Sequence, residues 1–167
     1  MLKHKNTVLW TILALLLGAI VVVAVYRAWP LLFPPVSVTL PLDDNCDLRS
    51  GPCTTVVDEK GRVSFAIEPR DIPVMKPLQF QVALQQLEAK AVEVHFNGVD
   101  MNMGFNRVQL SRAGDNLFEG KGVIPVCVRD AMEWQADVLI TTEEGVISVP
   151  YRFITVRAGL PVPARSK

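Results

Sequence analysis

The apolar positions of this chain follow one pattern near the N-terminus and another beyond it. Residues 7–26, TVLWTILALLLGAIVVVAVY, contain no charged side chain. At about 1.5 Å per residue, a helix of this length spans roughly 30 Å, which is the thickness of the hydrocarbon layer of a bilayer. The pattern therefore predicts a single transmembrane helix over residues 7–29, preceded by a short N-terminal segment, residues 1–6.

The charges that flank the apolar run predict its orientation. Lys3 and Lys5 precede it, and only Arg27 follows closely. Positively charged flanks are retained in the cytoplasm, so residues 1–6 are expected to stay there and the rest of the chain to lie across the membrane.

A cleaved signal peptide is the alternative interpretation of this run. The apolar cores of signal peptides are about 7–15 residues long, and a small-x-small site follows them. This run is longer, and it ends in the bulky Tyr26. A lipoprotein is not indicated either, because the first cysteine is Cys46. An anchor is therefore favoured.

After Trp29 the apolar period changes from helical to alternating. Three prolines in WPLLFPP predict a stiff, non-helical linker over residues 30–35. Alternating runs with turn residues between them then predict strands at 36–40, within 54–68 (two strands), and at 77–85, 91–96, 107–113, 118–128, 134–142 and 146–156.

Short strands separated by turns about every 8–12 residues are typical of an antiparallel β-sandwich. The predicted fold is therefore all-β: an immunoglobulin-like antiparallel β-sandwich over residues 36–157, preceded by one N-terminal transmembrane helix. Residues 158–167 contain two prolines and end in basic residues. They are expected to form a flexible tail.

The charge of the exported part argues against two classes of partner. Beyond Trp29 the chain has 17 acidic and 14 basic residues, a net charge of −3. A protein that binds nucleic acid or an anionic lipid surface usually carries a basic patch. We expect neither kind of partner for this domain.

All three cysteines lie on the exported side, where disulfides persist. Three thiols allow one intramolecular bridge. Cys46 and Cys53 flank the turn-like sequence DLRSGP and are the expected pair. Cys127 is then the odd thiol. Its strand position, opposite in parity to the buried residues, favours an accessible ligand, redox or intermolecular thiol; a thiol covered by the following loop is the alternative.

The segment HFNGVDMNMGFNR, residues 95–107, offers two interpretations. Asn97-Gly98 is a strong signal for a tight type I′ hairpin. Such a hairpin would place Met101 opposite Val94 in the core, and Met103 with it. If Asn97-Gly98 is instead part of a wider loop, the two methionines reach the rim, where thioethers can bind Cu(I).

Other residues could extend such a set of soft ligands. The candidate metal ligands are Met75, Met101, Met103, Cys127 and Met132. Whether they converge in space does not follow from their spacing.

No motif indicates an enzyme. His4 lies before the apolar run, which leaves His95 as the one histidine of the exported part. Neither a Ser-His-Asp arrangement nor an HExxH zinc motif can be identified around it. No glycine-rich phosphate-binding loop is present either.

Three stretches carry a resemblance to a known family: GVDMNMGFNR (98–107), IEPRDIPVMKPLQFQV (67–82) and IPVCVRDAMEWQADV (124–138). Together with the anchor, they resemble small membrane-anchored periplasmic proteins of the FixH/YtkA-like kind over roughly residues 53–156. Met101, Met103 and Gly104 match the methionine-bearing hairpin of these proteins.

The resemblance implies the inner membrane of a bacterium, a periplasmic domain, and a role in copper handling or in assembly of a haem-copper respiratory oxidase. The expected function is that of an accessory protein that presents Cu(I) or assists such assembly. Two alternatives stay open: a module without metal that binds another membrane protein, and a thiol redox accessory that uses Cys127.

Overall fold

The computed structural model describes residues 2–32, 36–57, 61–101, 103–104, 106–126, 129–157 and 159–163. In the first of these ranges it describes the side chains of residues 10 and 12–28. The chain forms two compact units that divide between Pro35 and Val36.

The first unit is one helix, α1 (Leu2–Leu32). It is longer than the sequence predicts, and it includes Pro30, which we expected in a non-helical linker. Proline lacks an N–H, so one helical hydrogen bond is missing at this position. Among the residues described down to their side chains, no helix is long and apolar enough to span a membrane.

The second unit is a sheet of nine strands in its described residues. They are β1 (Val36–Thr39), β2 (Cys53–Val56), β3 (Arg62–Glu68), β4 (Leu78–Gln85), β5 (Ala91–Gly98), β6 (Asn106–Arg112), β7 (Leu117–Gly122), β8 (Ala131–Thr141) and β9 (Val146–Val156). The all-β prediction is confirmed.

The strand order is β1-β9-β8-β5-β6-β7-β4-β3-β2, and every pair is antiparallel except β1 with β9. Strand β6 joins the two halves of the sheet. Its residues 106–110 pair with β5, whereas Ser111 and Arg112 pair with β7. The sheet therefore curls, and its two halves form one continuous structure.

The core lies between these two halves. Phe80 of β4 and Phe96 of β5 have ring centroids 4.8 Å apart, and Phe65 of β3 lies 5.3 Å from Tyr151 of β9. The Tyr151 hydroxyl also donates a hydrogen bond of 3.1 Å to the carbonyl oxygen of Val63. The alternating apolar residues of the strands thus face each other, as their period requires.

The β9 edge is protected in two ways. Strand β1 covers its first residues, 146–148. Farther along, the guanidinium group of Arg49 donates two hydrogen bonds, of 3.2 and 2.6 Å, to the carbonyl oxygen of Ile154. Both features discourage pairing with a further strand.

One end of the domain collects the loops that follow β3, β5, β7 and β9. We call the described residues of these loops, 69–77, 99–101, 103–104, 123–126, 129–130, 157 and 159–163, the far end. Val36 lies at the opposite end, because it pairs with Val146 at the start of β9. The 11 residues of β9 separate the two ends by about 35 Å, at roughly 3.3 Å per residue.

Candidate metal site at the far end

Asn97 and Gly98 do not form the tight hairpin that the sequence predicts. Strand β5 continues through Gly98, which pairs with Trp134 of β8, and β6 begins only at Asn106, opposite Phe96. The local preference for a turn is overcome by the long ladder that β5 forms with β8. The predicted pairing of Val94 with Met101 is therefore wrong, since Val94 pairs with Val108.

The consequence is a loop that carries two of the candidate ligands. Met101 and Met103 lie between β5 and β6, and both are half-buried against the core. They also line an open depression of about 480 Å³, together with residues 97–100 and Gly104. Met101 and Met103 thus combine contact with the core and access from solvent.

Met132 approaches the same place from β8. It shares its face of the strand with Trp134 and Ala136, and it is 4% exposed. Its burial agrees with the ordinary role of methionine in filling irregular core spaces. Its methyl group, however, lies against Gly98.

Gly98 lies beside the side chains of Met103 and Met132 and beside the backbone of Met101. A Cβ atom at this position would collide with Cε of Met132 and with the carbonyl oxygen of Met101, and it would lie 3.2 Å from Cγ of Met103. The side chains of Met103 and Met132 therefore converge over Gly98, and the backbone of Met101 closes the same space.

Hydrogen bonds and an ion pair hold the loop around this point. The amide of Val99 donates to the carbonyl oxygen of Glu133 at 3.0 Å, which extends the β5–β8 ladder by one residue. Arg129 Nη1 lies 3.2 Å from Asp100 Oδ2. Asn106 Nδ2 donates to the Met103 carbonyl oxygen at 3.4 Å. The loop is thus tied to β8 and to β6.

The remaining candidate ligands have different positions. Met75 lies at the far end in the neighbouring loop, 69–77; it is 63% exposed, and its amide donates to the carbonyl oxygen of Ile124 at 2.9 Å. Cys127 lies outside the described residues. The structure therefore brings together Met101, Met103 and Met132 of the predicted set.

His95 lies on the outer face of the sheet and does not pair with Asp100, as the tight hairpin would require. Its Nε2 atom is 3.1 Å from Oε1 of Glu93, and its neighbours on the adjacent strands are Arg107 and Asp137. In the described part of the chain, no three His, Cys, Asp or Glu side chains form a group that could hold a metal ion.

A disulfide joins Cys46 to Cys53, with their Cα atoms 5.7 Å apart, in agreement with the turn-like sequence between them. The closed loop is docked by Arg49, which donates to Ile154 and also, at 2.8 Å, to the carbonyl oxygen of Asp71. Burial lowers the pKa of Arg49, and nearby Asp47 opposes that shift.

Sequence reasoning missed Gly98 as a part of the site. The Asn-Gly pair predicts a turn. The sequence alone does not distinguish a glycine that forms a turn from a glycine that permits close packing. The contact joins positions 98 and 132, which are far apart in the chain, so no local pattern reveals it.

No family model matches the chain, and no curated protein is similar to it. Among solved structures, a DUF4785 family protein from Legionella pneumophila is similar, with a TM-score of 0.38 and 12% sequence identity. The match covers 57% of this chain and 28% of that protein. A likeness this weak supports no statement about function.

Proposed function

We propose that this chain is a membrane-anchored periplasmic accessory protein that presents Cu(I) through Met101, Met103 and Met132. The observation that carries the proposal is the convergence of Met103 and Met132 over Gly98, beside the backbone of Met101. The two side chains come from different elements, so their meeting is a product of the fold rather than of their spacing.

The chemistry of the donors supports Cu(I). Thioether sulfur is a soft ligand that prefers soft monovalent metals, whereas carboxylate and carbonyl oxygens suit hard divalent cations. The carboxylate that lines the same depression, Asp100, is paired with Arg129 at 3.2 Å. A neutral set of thioethers would hold the ion weakly enough to pass it on.

The helix supports the anchor. Its described residues 10 and 12–26 carry no charge and are exposed on every face, with Leu15, Val22 and Tyr26 exposed by 74, 68 and 79%. A helix that is apolar all round needs apolar surroundings. Together with the uncharged run 7–26 and the flanking lysines, this favours a bilayer and supports a periplasmic position of the domain.

We also propose that the domain has an immunoglobulin-like fold. Two antiparallel halves that pack face to face, with β6 crossing between them, support an immunoglobulin-like β-sandwich over residues 36–157. The FixH/YtkA-like resemblance of residues 98–107 supports assembly of a haem-copper respiratory oxidase as the setting, with that complex as the partner.

A competitive titration tests the metal site. The full chain in detergent micelles is titrated with Cu(I) against a chromophoric chelator, in a Cys127→Ser background that removes the unpaired thiol. We expect Met101→Leu/Met103→Leu to weaken the binding at least tenfold, because two of the three ligands are lost. Met75→Leu is the matched control in the neighbouring loop and should bind as the parent does.

Two results would contradict the proposal. In one, the double variant binds Cu(I) as tightly as its parent. In the other, Cys127→Ser alone abolishes the binding, which would assign the metal to the thiol instead of the thioethers.

A second candidate function is favoured by a separate observation. Apart from Val36, Val38 and Val56, the strongly exposed large apolar side chains described in residues 36–163 all lie at the far end: Met75, Val99, Val123, Val126, Leu160 and Val162. An apolar concentration of this kind marks an interaction surface. In this alternative the domain binds another membrane protein without metal.

The charges at this surface favour an uncharged, apolar partner. Asp100 pairs with Arg129, and Asp130 pairs with Arg157 at 3.1 Å, so these four charges have partners within the domain itself. The test is a photoreactive residue at Val123 or Val126 in living cells, with Val56 as the exposed control. One protein crosslinked from both positions, whose purified form binds the chain and loses that binding with Val126→Asp, supports the alternative. Adducts to lipid or to a second copy contradict it.

A further inference from the structure

Gly98 occupies a position at which glycine is unfavourable for the strand that contains it. It is the last residue of β5 and pairs with Trp134. Glycine weakens a strand, since it loses more backbone entropy than other residues and offers no side chain for packing. A local reason would be a positive φ, as at Gly104 and Gly145, but Gly98 has none.

The space above Gly98 supplies the reason instead. A Cβ atom would collide with Cε of Met132 and with the carbonyl oxygen of Met101. The methionine methyl could rotate away, but the carbonyl belongs to the backbone and could move only with the whole loop. Any side chain at position 98 must therefore separate the loop of Met101 and Met103 from Met132.

We infer that Gly98 is the positioning residue of the thioether site. It binds no metal, and its missing side chain allows the loop residues and Met132 to approach one ion together. This inference rests on the proposed function, because it concerns the same three methionines. Beyond that function, it states that the residue at position 98 determines how many methionine thioethers can bind the metal ion.

The test uses Ag(I), a soft monovalent ion that is stable in air. The full chain with Cys127→Ser carries ¹³C-labelled methionine methyl groups in detergent micelles. We expect Ag(I) to shift the methyl resonances of Met101, Met103 and Met132 in this parent. With Gly98→Ala the resonance of Met132 should no longer shift, and the affinity should fall at least tenfold.

Gly51→Ala is the matched control, because a Cβ atom there meets no atom within 4 Å. It should leave both the shifts and the affinity unchanged. If Gly98→Ala binds Ag(I) with all three shifts intact, the role of Gly98 is refuted while the thioether site stands. If the parent itself shows no shifts, both proposals fail.

A second measurement does not depend on the folding of the variant. In the parent, the α-protons of Gly98 should show a nuclear Overhauser effect to the Met132 methyl group, and they should shift when Ag(I) binds. Absence of either effect overturns the inference, whether or not Gly98→Ala folds.

Discussion

At the scale of single residues, two buried aromatic side chains have polar atoms in the core, and each of these atoms forms a hydrogen bond there. Trp134 donates from Nε1 to Oγ1 of Thr155 at 3.0 Å, and both residues are buried. Tyr151 donates across the core to Val63. Because a buried polar group without a partner is costly, each bond fixes the position of its ring.

Thr155→Val removes the acceptor of the buried indole while keeping the shape of the side chain. We expect the free energy of unfolding to fall by about 1–3 kcal/mol, the cost of leaving a buried donor unsatisfied. Chemical denaturation followed by tryptophan fluorescence measures it. Thr54→Val is the control, since Thr54 is exposed and its hydroxyl donates to Oγ of Ser64 at 3.3 Å on the surface. An equal loss in both variants would contradict this account.

Tyr151 makes the stability depend on alkaline pH. Burial raises its pKa from 10.0 to about 12, with Thr55 opposing and Asp43 adding to the shift. The unfolded chain therefore loses this proton at a lower pH than the folded chain. The contribution is complete below about pH 10 and is lost as the pH rises towards 12, by about 1.4 kcal/mol per unit.

The measurement is the pH dependence of unfolding, compared between the parent and Tyr151→Phe. The parent should lose up to roughly 2–3 kcal/mol more than the variant between pH 10 and 12. Parallel curves for the two proteins would show that Tyr151 does not ionise in this way.

At the scale of elements, the strands follow from the alternation of apolar residues. β4, β8 and β9 were predicted to within three residues at each end, because each buries one face and the period of two is unambiguous. β5 and β6 were placed correctly, but their connection was wrong. The Asn97-Gly98 signal is local, whereas the pairing of Gly98 with Trp134 depends on a strand more than 30 residues away.

The same distinction limits what could be predicted of the site. The methionines were identified from their softness and spacing. Their convergence required the extension of β5 and the position of Met132 at the start of β8, and neither is encoded in residues 95–107 alone.

The disulfide loop is an element with a measurable contribution of its own. Closing the short loop between Cys46 and Cys53 is expected to stabilise the fold by about 2–3 kcal/mol in the chain-entropy description. Cys46→Ala/Cys53→Ala should lower the free energy of unfolding by that amount. The control is the parent after reduction, which should show the same loss. Unchanged stability in both would contradict a structural role for the loop.

At the scale of the whole molecule, the candidate site lies towards the end of the domain opposite Val36. Val36 pairs with Val146 at the start of β9, whereas Gly98 pairs with Trp134, which pairs with Phe153 near the end of β9. The far end also holds the exposed apolar side chains. Because the proposed metal site and these apolar side chains lie at the same end of the domain, one partner could contact both.

The proposed anchor predicts where the chain is recovered after cell lysis. The parent should remain with the membrane fraction after alkaline carbonate extraction. Leu16→Lys/Val22→Lys should be released, since each lysine at the centre of a membrane helix costs about 2.5–3.5 kcal/mol. Val36→Lys/Val38→Lys places the same charges in exposed β1 and should stay with the membrane. Release of the parent itself would contradict the anchor.

The central claim is that three thioethers, from one loop and from β8, bind one copper ion. X-ray absorption at the copper edge counts these ligands directly, on the full chain with Cys127→Ser loaded with Cu(I). The account predicts three sulfur neighbours in this parent and two in Met132→Leu. A copper ion surrounded by nitrogen or oxygen, or a sulfur count that does not change in Met132→Leu, would contradict it.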